Sequence, residues 1–191
     1  MRILPAPSFA ANAGESPGDV IVRIVRAYAG CSVKVRRDEL AALVGRGCMD
    51  DSIVYVRTNC ALFALGVLSA AGVRHTLLEE PTRPEMSFAD LVRIGNDFCA
   101  WRDPATGGAI PPGAVCWYRL PGLNDDHAEF YLSPVGPEHG GAGRADNAVT
   151  VCTGTPALSC GRPLWRWLDP EELGIPLVDA EPHADTTEPH S

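Results

Sequence analysis

Two side chains in this sequence are placed for nucleophilic chemistry. Cys60 stands at the head of an uncharged run, Thr58-Asn59-Cys60-Ala61-Leu62-Phe63-Ala64-Leu65-Gly66, which continues to Gly72. Thr58 or Asn59 caps a helix there, so Cys60 falls in the first turn, where free N–H groups and the positive end of the dipole favour a thiolate. His127 opens the second element. Asp125-Asp126 form a polar turn, and the alternation that follows puts His127, Glu129 and Tyr131 on one face of a strand and Ala128, Phe130 and Leu132 on the other. A thiolate beside an imidazole is a nucleophile and its base, and such a pair wants a third group that accepts from the far ring nitrogen and fixes the tautomer. Asp146 and Asn147, at the mouth of a strand beginning at Ala148, meet that need if this strand pairs beside the His127 strand. Asp146 is the preferred partner, and a plain strand-entry turn is the equally weighted alternative.

Each of these residues has a simpler use. Cys60 can be a small buried hydrophobe, and His127 a turn residue satisfied by Asp126. For Cys116 and Cys152, within predicted strands, and Cys99, within a predicted helix, burial is the preferred reading. Cys31, Cys48 and Cys160 sit near turns with no helix N-terminus behind them. His75, His139, His183 and His190 are weaker candidates than His127. No pair of Cys and His has zinc-ligand spacing, so no metal site and no cofactor is expected. The segment 138–144 is rich in glycine, but it lacks the phosphate-loop pattern and reads as a mobile hairpin loop. Trp101, Trp117, Trp165 and Trp167 serve either a groove for sugar or peptide or, more commonly, the core.

The elements that must position the pair follow from periodicity. Residues 19–28 read as a helix capped by Ser16 or Asp19, with a strand as the alternative because of their β-branched content. Residues 37–44 read as a short helix and 87–102 as a longer one opened by Ser87. After Pro111-Pro112-Gly113 the pattern changes to short strands at 114–119, 128–133, 148–152 and 164–168, separated by Gly, Pro, Asn and Asp. Helices first and antiparallel strands second is an α+β pattern, with the apolar Cys60 helix buried as the central helix against a small sheet. The expected organisation is a flexible leader over 1–17, a single domain over 18–178 and a disordered acidic tail over 179–191.

Composition narrows the partners. A formal net charge of -8 over 191 residues argues against nucleic acid or an anionic membrane surface, since phosphate binding needs clustered Lys and Arg. Seven cysteines without a C-x-x-C pair leave at least one thiol free and favour a reducing compartment. Pro5 and Pro7 interrupt the N-terminus before a signal-peptide core can form, and no membrane span is expected. The expectation is a cytoplasmic protein as synthesised, acting outside the cell only through a phage-like or secretion route.

The run Tyr55 to Gly72 with Cys60, then Pro112-Gly113-Ala114-Val115-Cys116-Trp117, then His127 to Leu132, resembles the papain-like amidases of the NlpC and CHAP type. The resemblance spans residues 53–153. It implies a papain-like fold and an amide hydrolase acting on peptidoglycan or a peptide, with Cys60 as nucleophile, His127 as base and Asp146 or Asn147 as the orienting residue. It further implies that Asn59 and Tyr55 line the substrate or oxyanion site. Where NlpC members carry Asp-Cys-Ser-Gly, this chain reads Asn59-Cys60-Ala61-Leu62. Two other functions are compatible with the same residues: a non-catalytic phage or tail-assembly protein that keeps the fold for binding, and a Cys/His acyltransferase.

Overall fold

A computed structural model describes residues 10–30, 59–79, 87–123, 125–142 and 149–178. Among these residues four α-helices precede or flank the sheet: α1 (Pro17–Ala27), α2 (Asn59–Ala70), α3 (Thr76–Glu79) and α4 (Phe88–Asp97). Ser16 opens α1 with a capping box, its hydroxyl accepting from the Asp19 N–H while the Asp19 carboxylate accepts from the Ser16 N–H at 3.1 Å. Ser87 and Asp90 do the same for α4, where the Ser87 N–H reaches the Asp90 carboxylate at 2.7 Å. The helical reading therefore holds for α1, and the strand alternative does not. Its β-branched residues Val20, Ile21, Ile24 and Val25 are all buried on one face.

The described residues also form seven strands, β1 (Trp101–Arg102), β2 (Val115–Arg119), β3 (Asp126–Ser133), β4 (Glu138–Ala142), β5 (Val149–Thr153), β6 (Leu158–Ser159) and β7 (Arg162–Leu168), and a 3-10 turn covers Pro170–Leu173. The sheet runs β1-β7-β2-β3-β4-β5, with β6 hairpinned on β7 and every named pairing antiparallel. This is the expected α+β class with a small antiparallel sheet.

The main core lies between helices and sheet. Phe63 of α2 meets Phe130 of β3 edge-on, with ring centroids 6.0 Å apart, and Leu65, Leu68, Leu91, Ile94, Ala128 and Leu132 fill the space around them. Burial of each large apolar side chain supplies roughly 1.5–3 kcal/mol. The opposite face of the sheet carries a smaller cluster, Ala114, Cys116, Tyr118, Tyr131 and Trp167. The alternation read along β3 is thus present, and both of its faces are covered.

Several expectations are corrected. The helix proposed over 87–102 stops at Asp97, because Phe98 caps it and Cys99 turns into the left-handed region with φ 53, so that Trp101-Arg102 can pair with β7. Cys99 and Cys152 are exposed instead of buried. The Gly-rich stretch is not a loop: Glu138–Ala142 forms β4, inserted between β3 and β5. The direct pairing of the 128–133 and 148–152 segments, the premise for placing Asp146 or Asn147 beside His127, is therefore absent. Residues 10–16, counted with the leader, are tied down by Arg23, which donates to the Glu15 carboxylate at 2.8 Å and to the Ala10 carbonyl at 2.9 Å. The short helix proposed over 37–44 and the tail over 179–191 lie outside the described residues.

Candidate active site

The first turn of α2 delivers Cys60 to the upstream end of β3. The residue is only 8% exposed. The paired register between β3 and β4 runs from Phe130 to Ser133, and upstream of it the Ala128 N–H turns to the Cys60 sulfur. The Ala61 N–H donates to the same atom, as the open end of a helix allows. The His127 ring completes the set with a hydrogen bond to the sulfur.

Burial alone would push the Cys60 thiol up, yet the hydrogen bond and charge of His127, with the two backbone N–H groups, bring it below the ordinary thiol range. For His127, burial works against the charged form, and the Cys60 and Glu129 partners outweigh it and raise the imidazole well above its usual value. Both shifts act in the same sense, each favouring the charged form of its group.

Glu129 is the orienting group that the structure places on His127. Two residues along the same strand, its Oε1 lies 2.8 Å from His127 Nε2, which leaves Nδ1 for the sulfur. Glu129 Oε2 lies 2.5 Å from His139 Nδ1 on β4. Desolvation raises this carboxyl, but the two histidines hold it below the normal range. The Ser159 hydroxyl lies close to the carboxylate without a well-directed hydrogen bond. Tyr118 covers the His127 ring at a centroid distance of 6.3 Å.

Gly141 of β4 and Gly154, directly after β5, make room for this chain of groups. A Cβ on Gly141 would sit 3.0 Å from Glu129 Cγ, and one on Gly154 would sit 3.0 Å from His139 Nε2. Asp126 is engaged elsewhere, accepting from Trp117 Nε1 at 2.8 Å with Arg119 3.6 Å away. Trp117 and Trp167 are buried, Trp101 donates to the Val92 carbonyl, and Trp165 alone of the four is substantially exposed.

Cys60 and His127 are therefore adjacent, whereas Asp146, Asn147 and Tyr55 lie outside the described residues and Asn59 is placed only as the first residue of α2. Sequence reasoning alone prefers Asp146 to Glu129 as the partner and leaves His139 in a loop. The signal for Glu129 is its i+2 spacing, which puts it on the face of His127. No helix among the described residues is long and apolar enough to cross a membrane. No family model matches the chain, and no curated protein or solved structure matches it.

Proposed function

We propose that the protein is a cysteine hydrolase of papain-like type that cleaves an amide bond through Cys60 and His127. The observation that carries this reading is the Cys60 sulfur at a helix N-terminus beside the His127 ring, whose Nε2 lies 2.8 Å from Glu129 Oε1. In the reaction the Cys60 thiolate attacks the carbonyl carbon and the C=O electrons move to oxygen. The Cys60 backbone N–H, one of the first four of the helix, and a neighbouring donor stabilise that oxyanion. His127 gives its proton to the departing amine as the tetrahedral intermediate collapses. It then takes a proton from water, which attacks the thioester and releases the acid. The substrate class we assign from the resemblance to NlpC and CHAP amidases is the stem peptide of peptidoglycan or its link to the glycan.

Cys60→Ser and His127→Ala should each abolish hydrolysis of purified stem-peptide amides under reducing conditions, with melting temperatures within a few degrees of wild type. A wild type that releases no amine or acid from these substrates, assayed by mass spectrometry, sinks the reading. A second reading, a binding protein that keeps the fold, is favoured by the near-complete burial of Cys60. Under it, muropeptides bind wild type and Cys60→Ser alike and are recovered intact.

A further inference from the structure

Next to Cys60 the sheet adds a third donor, Cys160, to His127 and Glu129, and the hydrolysis proposed above makes no use of it. Cys160 and Gly161 join β6 to β7 as a two-residue turn with φ 49 and 75, the primed geometry ordinarily given to Asn or Gly. Arg162 fixes this turn. Its Nε donates to the Asp125 carbonyl at 3.0 Å, its guanidinium pairs with the Asp125 carboxylate, and it also donates to the Cys160 carbonyl at 3.2 Å. The outcome is that the Cys160 sulfur, a Glu129 carboxylate oxygen and a His127 ring nitrogen all lie within 4.8 Å of one another.

Two hydroxyls add a second, independent observation. Tyr118 Oη and Ser159 Oγ are buried beside this set without a well-directed hydrogen bond, Tyr118 next to the Cys116 thiol and Ser159 next to the Glu129 carboxylate. Tyr118 also lies within electrostatic reach of both Glu129 and Cys160.

We propose that His127, Glu129 and Cys160 bind a divalent cation of the zinc class, and that its occupancy switches off the Cys60 nucleophile. Thiolate, imidazole and carboxylate together suit borderline-soft Zn²⁺, whereas Mg²⁺ and Ca²⁺ select all-oxygen sets. Three protein donors leave a fourth position for water. The ion takes the His127 lone pair and the Glu129 oxygen that otherwise share a proton; that proton and the Cys160 thiol proton pass to solvent. Metal on the ring nitrogen beside Glu129 turns the imidazolium into a neutral imidazole whose remaining Nδ1–H faces Cys60; giving up that proton would leave an imidazolate, so it is a far weaker acid for the leaving amine. This second half rests on the hydrolase reading, and the first half does not.

The test is titration of the full-length reduced protein, in a phosphine reductant, with Zn²⁺ against a chromophoric chelator. One equivalent should bind, and Cys160→Ser and Cys160→Ala should each weaken it by about 100-fold or more, while Cys99→Ser at the end of α4 leaves it unchanged. No competition with the chelator, or equal affinity in wild type and both Cys160 variants, overturns the site. Zn²⁺ should also slow iodoacetamide alkylation of Cys60 in wild type and not in Cys160→Ser, as read by peptide mapping. Tight binding that leaves Cys60 alkylation and hydrolysis unchanged overturns the switch. Failure of hydrolysis by the metal-free protein, with the Cys160 dependence of binding intact, removes the hydrolase reading and keeps the site.

Discussion

Four groups converge on Cys60: the Ala61 N–H from its own helix and, from three consecutive residues of β3, the Ala128 N–H, the His127 ring and, through that ring, Glu129. Since the folded thiol titrates below the ordinary range, its thiolate persists as pH falls, while an unassisted thiol loses about tenfold in rate per pH unit below its value near 8.5. As pH is lowered, iodoacetamide modification of Cys60 should therefore decline less than that of a free small-molecule thiol, and Cys60 should react faster than exposed Cys99 and Cys160. Peptide mapping that finds Cys60 untouched while these two react would show that its burial, not its activation, dominates. The role of Glu129 has its own measurement. Glu129→Gln keeps the size of the side chain and loses the charge that favours the imidazolium, so kcat should drop by about 10³–10⁴ with the melting temperature nearly held. Asp146→Ala should change kcat by less than about tenfold; the opposite ranking returns the orienting role to Asp146.

How far these assignments are legible depends on which physical signal each element carries. The positions of Cys60 and His127 can be read directly, because the uncharged run and the alternation that begin beside them are found as the first turn of α2 and the start of β3. β4 carries neither signal. Glu138-His139-Gly140-Gly141-Ala142 is poor in β-formers, and what makes it a strand is pairing on both sides, Tyr131 with His139 and Cys152 with His139 among the contacts. Because that pairing is not local, His139 reads as a loop residue, and the search for a partner of His127 goes to the wrong strand. The glycines also have a use that no propensity scale records. Gly141→Ala would bring a methyl carbon 3.0 Å from Glu129 Cγ and 3.3 Å from the Ala128 carbonyl. Displacement of the carboxylate by such contact should lower kcat by up to about 10²-fold while KM and melting temperature move little. A Gly141→Ala variant with unaltered kcat would mean that Glu129 does not act on the reacting groups.

The molecule as a whole is organised around β2 and β3, which exchange a five-residue register from Val115 opposite Phe130 to Arg119 opposite Asp126. Residues 115–118 and 127–132 are buried without a break, and α2 packs on β3. At the far edge, β5 is mostly open to solvent beyond Val149, and β6 has only two residues. Amides that open only with global unfolding belong to the most deeply buried strands, and those at edges open locally. Hydrogen exchange followed by mass spectrometry should therefore find β2 and β3 slowest, with β5 and the β6–β7 turn exchanging earlier by orders of magnitude. The order matters for the chemistry, since it would place Cys60, His127 and Glu129 on the rigid centre and Cys160 on a segment that opens more readily. If β5 proves as protected as β3, the sheet extends its cooperative unit to that edge, and the Cys160 turn would then be the one wall of the site, among the described residues, that opens locally.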